Sequence, residues 1–272
     1  MIPFLHLGPL ALPTYGLMVA LAMVAAFFVL RADLRRRQMG PHADVMAEIF
    51  IAVPCIAGII GAKLYHVLET PRDLFADPLH EIFSQFGFAW FGGLLAGLAA
   101  FVLLARHYQV PLMEMLDAGS PAAALGYGIG RIGCLLSGDG DYGVPTSLPW
   151  GMSFPNGLVP TADRVHPTPL YEFFAACLIA WILWRMGTGQ ISRAALRQTV
   201  RVAIGKGSDA APVPFATGKI FAAYLVLTGV ARFLVEFIRI NPRSFLGMSN
   251  AQTASLACII LGAILWFASD KR

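Results

Sequence analysis

The chain has 272 residues, of which 57% are hydrophobic and only 13% are charged, with a formal net charge of +4 at pH 7 and a mean hydropathy of +0.66. Because ordinary soluble domains carry about 25% charged residues, a chain with roughly half that fraction cannot cover a globular surface with charge. The composition therefore excludes a soluble globular protein, a disordered chain and a collagen-like fibre, and it indicates an integral membrane protein.

Seven apolar segments follow one another along the chain, each long enough to cross a bilayer as a helix. Runs of this length without strict alternation are typical of helices and not of barrel strands. We therefore predict an all-α fold class, a polytopic membrane protein with about seven transmembrane helices in a single transmembrane domain, residues 1–272. The predicted spans are residues 13–31, 46–67, 88–105, 114–136, 169–186, 217–239 and 250–268.

The basic residues indicate how these spans are oriented. Most lysines and arginines fall in one set of loops, and the positive-inside rule places that set in the cytoplasm, with the N-terminus periplasmic and the C-terminus cytoplasmic. The cytoplasmic loop 187–216 carries Arg193, Arg197 and Arg201, which predicts either a basic helix on the membrane surface or a solvated linker helix. Residues 137–168 are rich in Gly, Pro, Asp and aromatic residues, which predicts an ordered periplasmic head region.

Ionisable residues within the spans mark candidate sites, because burying them in lipid is costly. Arg232, Glu236 and Arg239 recur at i, i+4 and i+7 on one helix face. They form either a structural ion pair or a site in which an arginine binds a lipid phosphate and Glu236 orients the guanidinium. Arg131 lies among glycines, including Gly133, with few groups to pair with in its own segment, which predicts an anionic ligand.

Further polar side chains are predicted at the same membrane depth. Tyr15 is either an aromatic-belt residue or part of the site. His166 is either a general base or a helix-entry residue beside two prolines. Asp139 and Asp141 either bind substrate or shape turns. Their convergence predicts one cationic, partly buried site for a phospholipid head group, formed by Tyr15, Arg131, Asp139, His166, Glu172, Arg232, Glu236 and Arg239.

Several short motifs occur in order along nearly the whole chain, at residues 12–18, 76–79, 91–94, 130–133, 166–172 and 232–239. With them the sequence resembles the phosphatidylglycerol–prolipoprotein diacylglyceryl transferases of bacteria. The resemblance implies that a diacylglyceryl group passes from phosphatidylglycerol to the lipobox cysteine thiol of a preprolipoprotein, leaving a thioether and releasing glycerol phosphate. It also implies that Tyr15, Arg131, Arg232 and Glu236 are essential. We expect substrate-binding roles for Arg239, Asp139, Gly92, Gly93, Gly133 and Glu172.

The chain departs from the family pattern at two motifs. Phe91 stands where the family usually has a histidine before Gly-Gly-Leu, and after Gly133 both family asparagines are missing while Asp139 replaces a glutamate. We therefore expect His166 to deprotonate the thiol, with Asp139 as the second candidate. Two alternatives stay open: a catalytically altered or inactive relative that binds phospholipid, and an acyl transferase that uses Cys134 as its nucleophile beside Arg131.

The expected partners follow from the same resemblance. They are phosphatidylglycerol, the signal-peptide and lipobox segment of a preprolipoprotein, and the bacterial cytoplasmic (inner) membrane, in which we expect the protein to be a monomer that binds no nucleic acid. No group of His, Cys and Asp residues has the sequence spacing of metal ligands, so we expect no metal and no other cofactor.

Overall fold

The computed structural model describes residues 2–8, 10–37, 42–84, 87–188, 215–245 and 247–269. Long helices dominate these residues, and short strands connect some of them. The predicted cytoplasmic loop 187–216 lies, apart from its ends, outside the described residues. In chain order the elements are β1 (Phe4–Leu7), β2 (Leu10–Pro13), α1 (Thr14–Arg36), α2 (Ala43–Glu69), α3 (Pro71–Ala76), α4 (Pro78–Phe83), α5 (Trp90–His107), α6 (Leu112–Ser137), β3 (Met152–Phe154), β4 (Thr161–Val165), α7 (Thr168–Gly187), α8 (Lys219–Val235), a 3-10 turn (Glu236–Ile238), β5 (Arg243–Phe245), β6 (Met248–Ser249) and α9 (Asn250–Ala268).

Six helices of the described chain have the length and apolarity needed to cross a membrane: α1, α2, α5, α7, α8 with its 3-10 turn, and α9. The all-α, polytopic class is thereby confirmed. The predicted span 114–136 corresponds to α6, which is 26 residues long but contains Glu114, Asp117 and Arg131 among its apolar residues. Three antiparallel pairs of short strands, β1–β2, β3–β4 and β5–β6, accompany the helices among the described residues; these strands were not predicted from the sequence.

The chain divides into two compact units, Met1–Leu30 with Leu116–Arg272, and Arg31–Met115. In the second unit α2 and α5 approach so closely that glycine is required. A Cβ on Gly92 would lie 2.3 Å from the carbonyl oxygen of Gly61, and one on Gly93 would lie 3.2 Å from that of Gly58. Small residues allow helix backbones to meet in this way in membranes. Gly92 and Gly93, predicted to bind substrate, therefore lie in a helix–helix contact.

In the first unit, α7, α8 and α9 form the scaffold for most of the charged residues. Ile179 of α7 and Ile220 of α8 share one buried core, and α9 packs on α8 where a Cβ on Gly262 would lie 2.7 Å from the carbonyl oxygen of Ala222. The side chain of Asp117 accepts hydrogen bonds from the backbone N–H groups of Gly218 and Phe221, each at 2.7 Å. This carboxylate from α6 thus satisfies free donors at the start of α8.

The segment after α6 folds back on itself over residues 138–165. Tyr142 and Phe154 stack at a ring-centroid distance of 5.2 Å and form a small core with Val165. The backbone N–H of Val144 donates to the carbonyl oxygen of Ile238 at 2.8 Å, so the segment is paired with the chain that leaves α8. This pairing brings the acidic residues after α6 to the arginines at the end of α8.

Candidate active site

One buried carboxylate connects arginines from three parts of the first unit. Glu172, near the start of α7, has a side chain that is 4% exposed, and its Oε1 accepts a hydrogen bond from Arg232 Nη1 at 2.6 Å. Its Oε2 lies 3.3 Å from Arg239 Nη1 and 3.7 Å from Arg131 Nε. The hydroxyl of Tyr127 donates to Oε1 at 2.6 Å. Glu172 therefore holds the three guanidinium groups together.

Two further carboxylates complete the network. Asp141 forms ion pairs with Arg131 and Arg239. Glu236 Oε2 lies 3.0 Å from Arg232 Nη2. Three arginines thus face three carboxylates, and the formal charge of these six groups is zero, whereas the sequence predicted a cationic cluster. The aspartate that pairs with the arginines is Asp141, which reaches them through the folded segment after α6, and not the predicted Asp139.

The three arginines differ in their access to a ligand. The side chains of Arg131 and Arg232 are 20% and 23% exposed, while that of Arg239 is 4% exposed. The guanidinium of Arg131 also lies over the ring of Tyr127, 5.0 Å from its centroid, in a cation–π contact. Arg131 and Arg232 are therefore available to an anion, and Arg239 acts on the site through the carboxylates it contacts.

Tyr15 reaches the cluster because α1 packs against a glycine of α6. A Cβ on Gly133 would lie 3.1 Å from Tyr15 Cδ2 and 3.1 Å from the Cβ of Met18. Tyr15 consequently interacts electrostatically with Arg131 and Asp139. Gly133, predicted to bind substrate, permits this close approach.

The polypeptide just beyond α6 contributes a second group of polar side chains. Asp139 Oδ1 accepts a hydrogen bond from the backbone N–H of Asp141 at 3.2 Å, and one of its carboxylate oxygens lies within 4.8 Å of the Cys134 sulfur. Burial raises the pKa of Asp139 above its ordinary range. Burial also acts to raise the pKa of Asp141, but the charges of Arg239 and Arg131 outweigh it and lower that pKa. The two neighbouring carboxyl groups are therefore shifted in opposite directions.

Potential metal ligands also occur in this group. The Cys134 sulfur and one carboxylate oxygen each of Asp139 and Asp141 lie within 4.8 Å of one another. The spacing of these residues in the sequence did not predict this proximity. Two guanidinium groups already pair with Asp141, and they oppose the binding of a cation. The arrangement is therefore unfavourable for a metal ion.

His166 is directed to other partners. Its Nδ1 lies 3.2 Å from the hydroxyl of Tyr171, which accepts a hydrogen bond from Trp150 Nε1 at 2.8 Å. Within the part of the chain that the structure describes, no recorded contact joins the His166 ring to the arginines or their carboxylates. Phe91, at the position of the usual family histidine, lies in the second unit and is 62% exposed.

Two residues of the network, Tyr127 and Asn241, were not predicted from the sequence. Tyr127 precedes Arg131 by four residues, so the helical period places both on one face of α6, and this spacing was the available signal. Asn241 donates from Nδ2 to Glu236 Oε1 at 2.6 Å. It follows the 3-10 turn, and no sequence pattern indicates that contact.

The fold and this network define a multi-pass membrane protein with a largely buried cluster of three arginines and three carboxylates. Residues 3–268 match the family model described as prolipoprotein diacylglyceryl transferase. The chain is 32% identical to a phosphatidylglycerol–prolipoprotein diacylglyceryl transferase of Clostridium tetani over 93% of this chain and 91% of that protein. It is 31% identical to proteins of the same name from Geobacter sulfurreducens, over 99% of this chain and 95% of the relative, and from Bordetella avium, over 98% and 94%. The chain belongs to the prolipoprotein diacylglyceryl transferase family, which confirms the resemblance drawn from its motifs.

Proposed function

We propose that this protein transfers a diacylglyceryl group from phosphatidylglycerol to the lipobox cysteine thiol of a preprolipoprotein. The relatives that match nearly the whole chain carry the name of this activity. The observation that carries the proposal is the pair of partly exposed guanidinium groups of Arg131 and Arg232, both bound to the buried Glu172. The protein lies in the bacterial cytoplasmic membrane with its N-terminus periplasmic and its C-terminus cytoplasmic, as the distribution of basic residues predicts.

The reaction sets two requirements that the site must meet. The sulfur of the acceptor attacks the glyceryl carbon that bears the phosphate, so that a C–S bond forms, a C–O bond breaks and glycerol phosphate leaves. The thiol must first lose its proton, because the thiolate is the nucleophile. The departing phosphate gains one negative charge, which must be met by donors that are already in position.

Arg131 and Arg232 meet the second requirement. A guanidinium has five N–H donors in a planar fork that suits phosphate oxygens. The described contacts with carboxylates do not use all five donors of either arginine. Glu172 fixes the spacing of the two groups from one side, while Asp141 holds Arg131 and Glu236 holds Arg232. Because the protein positions these donors when it folds, little reorganisation is needed as the phosphate leaves.

The proposal is tested with the full chain reconstituted in vesicles that contain phosphatidylglycerol, with a lipobox peptide as the acceptor. Mass spectrometry measures the diacylglyceryl group added to the peptide cysteine. Arg131→Ala and Arg232→Ala should each lower the transfer rate about 100- to 1,000-fold, the effect typical of removing one transition-state donor. Arg72→Ala is the matched control, because Arg72 is exposed on α3.

Three results would contradict parts of this proposal. If the wild-type protein adds nothing to the peptide, the activity is wrong. If phosphatidylglycerol binds without transfer, the protein is instead a phospholipid-binding relative with altered catalysis. If both arginine variants retain full transfer, the phosphate-binding role of these residues is wrong even though the activity stands.

A further inference from the structure

Asp139 differs from every other carboxylate of the site. Asp141, Glu172 and Glu236 each form ion pairs with two or more arginines. No ion pair among the described residues includes Asp139, whose carboxylate accepts a hydrogen bond from the backbone N–H of Asp141 and lies within 4.8 Å of the Cys134 sulfur. Since three carboxylates already match the three arginines, Asp139 is the acidic group that remains able to take up a proton.

The backbone holds Asp139 firmly in place. Its neighbours Gly138 and Gly140 adopt left-handed conformations with φ values of 60° and 92°, which non-glycine residues rarely adopt. A Cβ on Gly138 would lie 2.7 Å from the Cα of Gly157, so the turn is packed against the returning chain. The backbone N–H of Val159 donates to the carbonyl oxygen of Gly138 at 2.8 Å. The carboxylate is therefore positioned before any substrate arrives.

The position of Cys134 shows that a thiol can lie beside the Asp139 carboxylate and the Arg131 guanidinium. The Cys134 sulfur lies within 4.8 Å of a carboxylate oxygen of Asp139, and Arg131 Nη1 donates to that sulfur at 3.6 Å. An acceptor thiol needs the same two contacts: a carboxylate to take its proton and a nearby guanidinium to favour the thiolate. Cys134 itself is 8% exposed, so it is poorly placed to attack a substrate.

We propose that Asp139 is the general base that deprotonates the acceptor thiol. The step rests on the proposed diacylglyceryl transfer. The S–H bond of the acceptor breaks and its proton passes to the Asp139 carboxylate. The sulfur electron pair forms the C–S bond, and the electrons of the broken C–O bond leave with glycerol phosphate, whose charge Arg131 and Arg232 bind. Asp139 then releases the proton to water.

The surroundings of Asp139 favour this role. Burial raises the pKa of Asp139, the nearby Asp141 charge acts in the same direction, and the neighbouring Cys134 thiol and Arg131 oppose them without reversing the shift. A base is more effective when its pKa lies closer to the working pH. His166, the other candidate base, is engaged by Tyr171.

The test compares two acceptor peptides that differ in one atom, a lipobox cysteine peptide and the same peptide with selenocysteine. A selenol is far more acidic than a thiol and ionises at neutral pH without help. Asp139→Asn should therefore lower transfer to the cysteine peptide about 100- to 10,000-fold, the usual contribution of a general base. It should lower transfer to the selenocysteine peptide much less. Asp139→Glu should recover part of the rate, and Asp163→Asn, at an exposed position in β4, should change neither reaction.

The outcomes separate this inference from the activity itself. If wild-type protein transfers to the cysteine peptide but Asp139→Asn loses nothing, or loses the same factor with both peptides, Asp139 is not the base. If His166→Gln shows the loss confined to the cysteine peptide instead, the proton acceptor is His166 and the inference is wrong. Absence of transfer by the wild-type protein would overturn the proposed function. Loss of transfer in the Asp139 or His166 variants alone would leave that function standing.

Discussion

Glu172→Gln is the substitution that most directly tests how the active site is held together. Glutamine keeps the size of the side chain and removes the negative charge that faces Arg131, Arg232 and Arg239. Its amide oxygen can still accept hydrogen bonds, but its NH2 group is a donor placed against guanidinium donors. Three buried or partly buried positive charges would then face the two remaining carboxylates, Asp141 and Glu236.

The expected cost follows from the burial of the network. Removing one partner from a buried ion pair typically costs about 3–5 kcal/mol, because a buried charge is left uncompensated. Glu172 and Arg239 are each 4% exposed, so solvent screens this pair little. We therefore expect Glu172→Gln to lower the free energy of unfolding by about 3–5 kcal/mol. Glu48→Gln, at an exposed position in α2, should change it by less than about 0.5 kcal/mol.

Chemical denaturation of the protein in detergent micelles measures this difference, and a second substitution makes the test sharper. Arg239→Met removes the most buried guanidinium, so in the double variant two arginines face two carboxylates again. A double-mutant cycle should then show that the double variant is more stable than the sum of the two single changes predicts. A loss below about 1 kcal/mol for Glu172→Gln, or strictly additive effects, would refute the view that Glu172 compensates these arginines.

Two other predictions concern the segment that carries Asp141. Gly143→Ala should destabilise the protein by about 1–3 kcal/mol and reduce transfer, because the added Cβ would lie 2.4 Å from the carbonyl oxygen of Ile238. Gly130→Ala, inside α6 and with no atom within 4 Å of the added Cβ, is the control and should neither destabilise the protein nor reduce transfer. The lowered pKa of Asp141 predicts that its contribution to stability is fully present above the unfolded-state pKa near 3.8 and is lost as the pH falls through the lower folded-state value. Unfolding measured across this acidic range should therefore show the wild-type protein and Asp141→Asn converging as the pH falls, and a constant difference would contradict the assignment.

The helices could be predicted from the sequence because membrane spans follow from length and apolarity alone. The predicted span 250–268 coincides with α9, Asn250–Ala268, and the others agree within several residues. The helical period also predicted Arg232, Glu236 and Arg239 on one helix face. Helix α8 ends at Val235, so Arg239 lies beyond it, but Glu236 Oε2 is still 3.0 Å from Arg232 Nη2 and 3.6 Å from Arg239 Nε. Both inferences use contacts between residues close in sequence, for which helix geometry sets the distances.

The contacts between distant residues could not be predicted in the same way. Asp141 meets Arg239 only because the chain after α6 turns at two left-handed glycines and pairs with the end of α8. Asp117 binds the start of α8 from 101 residues away. Each of these contacts depends on loop closure and on the packing of particular helices, which no local pattern records. The pairing of Asp141, and not Asp139, with Arg131 and Arg239 could not be predicted for the same reason.

The balance of charge in the network gives the proposed reaction a physical advantage over a simple cationic pocket. A site with surplus positive charge would bind the singly charged donor lipid strongly before reaction, and binding that is equal in the ground and transition states does not accelerate chemistry. In the network described here, Glu172, Asp141 and Glu236 already compensate the arginines. The N–H donors of Arg131 and Arg232 then bind the phosphate most strongly when it gains its second negative charge as it leaves. The carboxylates that first look unfavourable for an anion thus direct the binding energy of the arginines toward the transition state.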